Sequence, residues 1–283
     1  MREDLINTTG GKIWYSVYGE DKKSIPLLVL HGGPGFLSMP EVIEELSDQR
    51  AVYFYDQLGC GRSERAKDKS FYSAENYVNE LTEVRQKLGL EETYLMGFSW
   101  GTMLACLYML EKEPQGVKGL ILCGPYLSSP KWYTDQRDNI MSMPDGVRNT
   151  IKESERTSNF DGKYNEAVSQ YYKKHVCRLD PWPVYLEEAF PKLNMDIYLA
   201  MWGPSEFTIT GTLKDYNLLP RLKEIKEPVL LTCGDHDEAG VKTVKDYQEA
   251  FTNASMAVLP DASHMHHLEK PELFLRTVRN FLR

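Results

Sequence analysis

Apolar and polar positions follow two different periods along this chain of 283 residues, and each period predicts one kind of element. Short, almost wholly apolar runs are typical of strands that a parallel sheet buries on both faces. Such runs occupy 26–30, 51–55, 93–96, 117–123, 229–233 and 256–259. A period of two on either side of Gly10-Gly11 also predicts an opening β-hairpin, with strands over 5–9 and 13–18.

Helical patterns separate the apolar runs. One helix is expected from Ser73 to Gly89, because serine favours a helix start and glycine tolerates the left-handed conformation at a helix end. Another is expected from Trp100 to just before Pro114, and a last one over 273–281. Strand, loop and helix therefore alternate, which predicts an α/β fold with a mostly parallel central sheet.

The alternation stops between about Gly124 and Lys226, where no strand-like run occurs and prolines separate the helical stretches. This pattern predicts a helical lid inserted into the α/β fold. We expect a lid domain over 124–226 and a core domain made of 1–123 and 227–283.

The charge and cysteine content narrow the classes of partner and compartment. A formal net charge of −8 argues against a broad phosphate-binding surface, so nucleic acid is not an expected partner. No apolar run approaches the length of a membrane span, and the first residues mix both signs of charge instead of forming a signal sequence. The five cysteines are scattered without metal-ligand spacing. We expect a cytoplasmic protein, not bound to membranes, with buried reduced thiols.

The stretch GFSWG, residues 97–101, places Ser99 between two glycines directly after a predicted strand. A nucleophile elbow needs a serine at a sharp turn from strand to helix, with small residues two positions before and after it. An ordinary tight turn is the alternative. Because the strand before the turn and the helix after it are both predicted, we expect Ser99 to be a nucleophile.

A serine hydroxyl needs a base to remove its proton and an acid to orient that base. On this kind of sheet the acid and then the histidine follow the serine along the chain. Asp235 and Asp237 follow the run at 229–233, and the three histidines His264, His266 and His267 follow the last run. Both loops leave the carboxyl ends of predicted strands, where sites in α/β sheets collect. Spacing alone does not choose among these candidates.

A zinc site is the alternative use of the three histidines. Neighbouring residues rarely converge on one ion, and no carboxylate or thiol spacing supports such a site. We therefore expect neither a metal nor an organic cofactor.

Two backbone N–H groups are candidates for receiving the oxyanion that forms when serine attacks a carbonyl. Trp100 stands at the start of a predicted helix, where N–H groups are free. The loop HGGPG, residues 31–35, follows the strand at 26–30, and Gly33 is the expected second donor. A plain glycine turn is the alternative for this loop.

Several motifs together resemble the proline iminopeptidase family of α/β hydrolases. They are HGGPG at 31–35, DQLGCGRS at 56–63 and the serine elbow followed by an aromatic residue. GPSEFTITGT at 203–212 resembles the branch of tricorn-interacting aminopeptidases, and GDHDE at 234–238 and SH at 263–264 continue the match. The resemblance spans residue 31 to about residue 267. It implies the α/β-hydrolase fold with a helical lid.

The resemblance also assigns roles to individual residues. It implies Asp237 as the acid, His264 as the base, and two glutamates, Glu206 and Glu238, as ligands of the substrate's free amino terminus. An ammonium group withdrawn from water needs opposite charge nearby, which agrees with this assignment. Taken alone, each glutamate would be interpreted as a solvated surface charge. Thr102 departs from the family, in which a further glycine is usual, and this affects only the expected packing of the helix.

Three aromatic residues are expected to line an apolar pocket for the first substrate side chain, or else to belong to the core. They are Phe36, Trp100 and Trp202. Asp56 and Arg62 are expected to brace the loop beneath the site.

These features predict a serine aminopeptidase that releases a single N-terminal residue, proline or another, from short peptides through an acyl-enzyme intermediate. An amidase or esterase on the same scaffold, which would need no free amine, is the first alternative. A ligand-binding protein with a hydrolase fold and no rapid turnover is the second. The sequence leaves open the preference for proline and the oligomeric state. A monomer is compatible with the sequence.

Overall fold

The computed structural model describes all residues from 1 to 283 and contains each of the predicted strands. The strands are β1 Arg2–Asn7, β2 Lys12–Tyr18, β3 Ser24–Leu30, β4 Arg50–Tyr55, β5 Thr93–Phe98, β6 Val117–Cys123, β7 Val229–Gly234 and β8 Ala254–Leu259. They form one sheet in the order β1-β2-β4-β3-β5-β6-β7-β8. β2 pairs antiparallel with β1 and β4, and the remaining pairs are parallel. The predicted hairpin and mostly parallel sheet are confirmed.

Ten α-helices surround or extend this sheet. They are α1 Ala74–Lys87, α2 Trp100–Lys112, α3 Ser129–Met141, α4 Asp145–Thr157, α5 Gly162–His175, α6 Val184–Ala189, α7 Met195–Met201, α8 Val241–Ala250, α9 His266–Glu269 and α10 Pro271–Phe281. Short 3₁₀ helices occupy 43–48, 69–71, 190–192 and 219–224. No helix is both long enough and apolar enough to pass through a membrane.

Apolar side chains cover both faces of the central strands. On one face Leu28 and Leu95 belong to a large cluster with residues of α1, α2 and α8. On the other face Val29 and Met96 pack with Phe274 of α10. Burial on both sides explains why these strands are nearly continuous apolar runs and do not alternate with polar residues. All five cysteines are buried and unpaired, as expected.

The helices α3 to α7 lie between β6 and β7, in the segment predicted as a lid. Only isolated β-bridges occur in this segment. The carboxylate of Asp135 in α3 accepts hydrogen bonds from N of Gly240 (3.1 Å) and from Oγ1 of Thr243 (2.8 Å), at the start of α8. Lys131 of α3 also pairs with Asp246 of α8. These hydrogen bonds and this ion pair hold α3 against α8, which follows the turn that carries Asp237.

Candidate active site

Ser99 lies at a sharp turn from β5 into α2, with φ 50° and ψ −117°. This conformation is strained for a residue with a side chain. A Cβ atom on Gly97 would lie 2.4 Å from O of Gly101, and one on Gly101 would lie 2.2 Å from O of Leu30. Both neighbours must therefore be glycine, which is the steric requirement of a nucleophile elbow.

Asp237 and His264 form a buried pair. Nδ1 of His264 lies 2.7 Å from Oδ1 of Asp237. The carboxylate also accepts hydrogen bonds from N of Ala239 (2.8 Å) and N of Gly234 (3.3 Å). Burial favours the protonated carboxyl, but the imidazoles of His264 and His266 hold the pKa of Asp237 below its usual range. Burial lowers the pKa of His264, yet the surrounding carboxylates outweigh it and raise that pKa to about 9.

The other candidates in the two loops have different surroundings. The side chain of Asp235 is 42% exposed. Nε2 of His266 forms a hydrogen bond with Oγ1 of Thr232 at 2.9 Å, and the ring of His267 packs on Phe98. No three His, Cys, Asp or Glu side chains converge on a place where a metal ion would fit. Geometry therefore selects the pair of Asp237 with His264.

A cavity of about 90 Å³ opens beside the elbow, and both Ser99 and His264 are part of its wall. The hydroxyl of Ser99 makes no hydrogen bond within the chain, so it is free to approach an imidazole or a substrate. Apolar side chains form much of the remaining wall, among them Phe36, Tyr172, Phe190, Leu193 and Met265. The wall contains Glu206 and Glu238 but no lysine or arginine.

The two glutamates enter the cavity from different parts of the chain. Oε1 of Glu206, in the lid, accepts a hydrogen bond from the hydroxyl of Tyr198 at 2.7 Å. Oε1 of Glu238 lies 3.6 Å from Nε2 of His264, and its Oε2 has no hydrogen-bond partner. Loss of water raises the pKa of both carboxyls above the ordinary value for glutamate. Such carboxylates would gain from a cation entering the cavity.

The expected oxyanion donors lie next to the serine. Trp100 is the first residue of α2, so its N–H has no acceptor within the helix. The N–H of Gly33 makes no hydrogen bond within the chain. A Cβ atom on Gly32 would lie 3.3 Å from Cβ of Ser99, which shows that the glycine loop runs directly against this serine. Both N–H groups are available for an incoming oxygen.

Comparison with known proteins agrees with this geometry. A protein family described as "alpha/beta hydrolase fold" matches residues 25–271 of this chain. The proline iminopeptidase of Heyndrickxia coagulans is 39% identical, over 99% of this chain and 98% of its own length. The chain belongs to the proline iminopeptidase family. A second relative, the proline iminopeptidase of Lactobacillus delbrueckii subsp. bulgaricus, is 34% identical over 94% of this chain and 92% of its own length.

A solved member of the family has the same architecture. The crystal structure of the proline iminopeptidase from Mycobacterium smegmatis is 30% identical and superposes with a TM-score of 0.90. The match covers 99% of this chain and 97% of that one. The architecture shared with this proline iminopeptidase therefore includes the helices between β6 and β7 as well as the sheet.

Sequence reasoning missed several residues that support the site. The hydroxyl of Tyr198 holds Glu206, and Nε2 of Gln136 donates to the carbonyl oxygen of Glu238 at 2.9 Å. These partners come from lid helices and carry no local motif. Gly124 was detectable in principle, since it is a glycine directly after β6. A Cβ atom there would lie 2.6 Å from Cε1 of His264.

The pocket expectation holds for one of its three aromatic residues. Phe36 is part of the cavity wall, whereas Trp100 and Trp202 are not and belong to the core, the alternative expected for them. The indole N–H of Trp100 donates to Oε1 of Gln57 at 2.9 Å, beneath the sheet edge. That of Trp202 donates to O of Ser205 at 3.0 Å, inside the lid. Each indole can be buried because its single N–H donor has an acceptor in the interior.

The expected brace beneath the site is present. Asp56 is fully buried and accepts hydrogen bonds from Nε of Arg62 (2.7 Å) and from N of Ser38 (2.8 Å). The Cβ position of Gly61 would lie 2.2 Å from Oδ2 of Asp56. This ion pair fixes the loop after β4 and the segment that follows the glycine loop.

Thr102 stands where the resemblance described above led us to expect a glycine. Its Oγ1 accepts a hydrogen bond from N of Tyr126 at 3.0 Å and donates to O of Ser99 at 2.6 Å. The first turn of α2 is thereby tied to the chain that leaves β6 for the lid.

Proposed function

We propose that this protein is a serine aminopeptidase that releases one residue at a time from the free amino terminus of short peptides. The observation that carries the proposal is the pair of carboxylates, Glu206 and Glu238, in the cavity that also contains Ser99 and His264. An ammonium group leaves water only when opposite charge replaces its hydration. No lysine or arginine on the wall competes with a substrate ammonium for these carboxylates.

The short distance between anchor and base supports removal of a single residue. Oε1 of Glu238 lies 3.6 Å from Nε2 of His264. A terminal ammonium held by this carboxylate is therefore within a few ångströms of the reacting atoms, as in a near-attack arrangement. Only the first peptide bond of a substrate spans so short a distance.

The first half of the reaction makes the acyl-enzyme. Nε2 of His264 removes the proton of Ser99 while the serine oxygen attacks the first carbonyl carbon. Asp237 stabilises the imidazolium, and the N–H groups of Gly33 and Trp100 donate to the oxyanion. His264 then gives its proton to the leaving amine, and the carbon–nitrogen bond breaks.

The second half restores the serine. Water enters where the amine left, His264 removes one of its protons, and the resulting hydroxide attacks the ester carbonyl. The bond to Ser99 breaks, its oxygen recovers a proton from His264, and the amino acid departs. Every step uses groups of this chain together with water.

The substrate class follows from the wall of the cavity and from the relatives. An apolar wall that includes Phe36 and Phe190 fits an uncharged first side chain. The relatives are named proline iminopeptidases, and we include N-terminal proline among the substrates of this protein. We place the activity on peptides and aminoacyl amides in solution.

A comparison of free and blocked substrates tests the proposal. We expect prolyl, alanyl and leucyl p-nitroanilides to be cleaved, and their N-acetyl forms to lose about 10³-fold or more in kcat/KM, because the buried carboxylates would be left without a partner. Equal turnover of blocked and free substrates would exclude amine recognition and would indicate an amidase or esterase. The ranking of kcat/KM among the free substrates measures the preference for proline.

The nucleophile is tested separately. Ser99→Ala should abolish turnover and labelling by a serine-directed phosphonate. Persistent labelling of this variant would show that another residue is the nucleophile. Ser263→Ala, in the loop that carries His264, is the control for loss of a serine near the site.

A further inference from the structure

Nε2 of His264, the nitrogen that is proposed to activate the serine, faces a carboxylate. Oε1 of Glu238 lies 3.6 Å from Nε2, and the two side chains are only 1% and 8% exposed. Oε2 of Glu238 has no other partner. The hydroxyl of Ser99 makes no hydrogen bond in the chain and therefore none with Nε2. The charged group opposite Nε2 is Glu238.

This arrangement favours the doubly protonated ring. A neutral imidazole donates from one nitrogen and accepts at the other, whereas an imidazolium donates from both. Burial raises the pKa of Glu238, but the charge of the imidazolium opposes that rise and favours the carboxylate. Asp237 lies at Nδ1 of His264 and Glu238 lies near Nε2, so carboxylates stand at both ends of the ring. They outweigh the effect of burial and raise the pKa of His264 to about 9. An imidazolium cannot accept the proton of a serine.

No lysine or arginine of the cavity wall supplies a positive charge that would relieve this pairing. Burial lowers the pKa of His175 to about 4 and that of His267 well below its ordinary value, so both rings are neutral at pH 7. Burial raises the pKa of the Cys123 thiol to about 12, and no lysine or arginine lines the cavity. The titratable groups around the ring are Asp237 and Glu238 from the loop after β7, Glu206 and Tyr198 from the segment between β6 and β7, Tyr172 and His175 from α5, Cys123 from β6, His31 from the loop after β3, and His266 and His267 from its own segment.

We propose that Glu238 pairs with Nε2 of His264 in the free protein, and that the ammonium group of a bound substrate replaces this pairing and so makes His264 available as a base. The proposal rests on the aminopeptidase function. When the ammonium enters between Glu206 and Glu238, its charge neutralises the carboxylate that stabilised the imidazolium. The proton on Nε2 then leaves to solvent, and the lone pair it uncovers accepts the proton of the serine.

This coupling gives Glu238 a second role besides anchoring. A substrate without a free amine would meet a protonated His264, even if it bound well. The requirement for an amine therefore acts on the chemical step, and blocked substrates lose kcat as well as affinity. A carboxylate that only anchors the amine would affect mainly KM.

An uncharged ester provides the first test, because p-nitrophenyl acetate can acylate Ser99 without bringing an amine. We expect its acylation rate in the wild type to rise with pH to a midpoint near pH 9, the pKa of His264. In Glu238→Gln the midpoint should fall by about one pH unit or more, which makes acylation at pH 7 about tenfold faster. An unchanged midpoint with no gain in rate would overturn the proposal.

Two control variants separate this effect from a general change of charge. Glu206→Gln removes the other carboxylate of the cavity, which is held by Tyr198, and should shift the midpoint less than Glu238→Gln. Asp235→Asn removes an exposed carboxylate from the same turn as Glu238 and should leave the midpoint unchanged. A shift in Asp235→Asn as large as that in Glu238→Gln would contradict a local pairing.

Nuclear magnetic resonance provides a second test that keeps Glu238 in place. In Ser99→Ala labelled with ¹⁵N-histidine, both ring nitrogens of His264 should carry protons at pH 7 in the free protein. Saturation with alanyl p-nitroanilide should remove the proton from Nε2, and the N-acetyl form should not. A free protein with an unprotonated Nε2, or a ring that stays doubly protonated with the free amine bound, would overturn the proposal.

The two proposals can fail separately. Equal cleavage of blocked and free arylamides removes the aminopeptidase function, whatever the ester shows. A strong preference for free amines, combined with an ester profile that Glu238→Gln does not change, leaves that function intact and removes only the coupling.

Discussion

Gly124 lies directly against the imidazole of His264, with no room for a methyl group between them: a Cβ atom would be 2.6 Å from Cε1. The residue also has φ +54°, a conformation that favours glycine. Gly124→Ala should therefore displace the ring and lower kcat by about 10²-fold, because a shift of about 1 Å at a catalytic group has a cost of this size. Steady-state kinetics measures the effect, with KM expected to change little.

Gly146→Ala is the matched control for that substitution. Gly146 lies in the lid helix α4, and no atom lies within 4 Å of its Cβ position. We expect wild-type kcat for Gly146→Ala. Full activity in Gly124→Ala would mean that the ring tolerates the displacement.

The pair of aspartates in one turn permits a sharp test of the acid. Asp237→Asn should lower kcat by roughly 10⁴-fold, since an amide would hold His264 in the wrong tautomer. Asp235→Asn, two residues earlier and exposed, should stay within about threefold of the wild type by the standard of surface positions. Comparable losses in the two variants would contradict the assignment of Asp237. The measurement is kcat with a free aminoacyl arylamide.

The hydroxyl of Thr102 should contribute to the stability of the fold. Thr102→Val keeps the shape of the side chain but leaves N of Tyr126 without its acceptor. We expect the free energy of unfolding to fall by about 1–3 kcal/mol, measured by urea denaturation. Thr134→Val on the exposed side of α3 should change it by less than about 0.5 kcal/mol. Equal effects would show that the buried hydrogen bond is not the cause.

Stability should also depend on the buried carboxyl of Glu80. Burial raises the pKa of Glu80 to about 8, although the N–H of Leu58 donates to its Oε2 and opposes the rise. The folded protein keeps this proton where the unfolded chain has lost it, so the contribution is full at low pH and is lost as the pH rises toward 8. The free energy of unfolding should decline between about pH 5 and 8, by at most about 1.4 kcal/mol per pH unit from this group.

Glu80→Gln should flatten that dependence, because an amide oxygen still accepts from Leu58 but carries no titrating proton. Denaturant unfolding at pH 5.5 and pH 8 compares the slopes. Glu75→Gln, at an exposed position of the same helix, is the control and should keep the wild-type slope. A wild-type slope in Glu80→Gln would show that the pH dependence arises elsewhere.

Local sterics and the burial of strands made much of the fold predictable from the sequence. Every residue of β7 is buried, and a strand buried on both faces must be an apolar run. The glycines at 97 and 101 are required by contacts within the elbow or with the adjacent strand. Such constraints act on a few residues at a time, so they remain visible in the sequence.

The parts of the site that were not predictable depend on contacts between distant segments. Spacing did not distinguish Asp235 from Asp237, because only the position of His264 decides which carboxylate accepts a hydrogen bond from its Nδ1. Tyr198 acquires its role from Glu206 across a turn of the lid. Trp202 is aromatic and lies in the lid, yet its ring points into the interior, because packing among the lid helices decides which rings reach the cavity.

The absence of lysine and arginine from the cavity wall also bears on the end of the reaction. Hydrolysis converts a neutral carbonyl into a carboxylate, so the released amino acid acquires a negative charge close to those of Glu206 and Glu238. Like charges repel strongly where little water separates them. The product is thus held less tightly than the peptide from which it came, and free amino acid accumulating in solution should inhibit turnover only weakly.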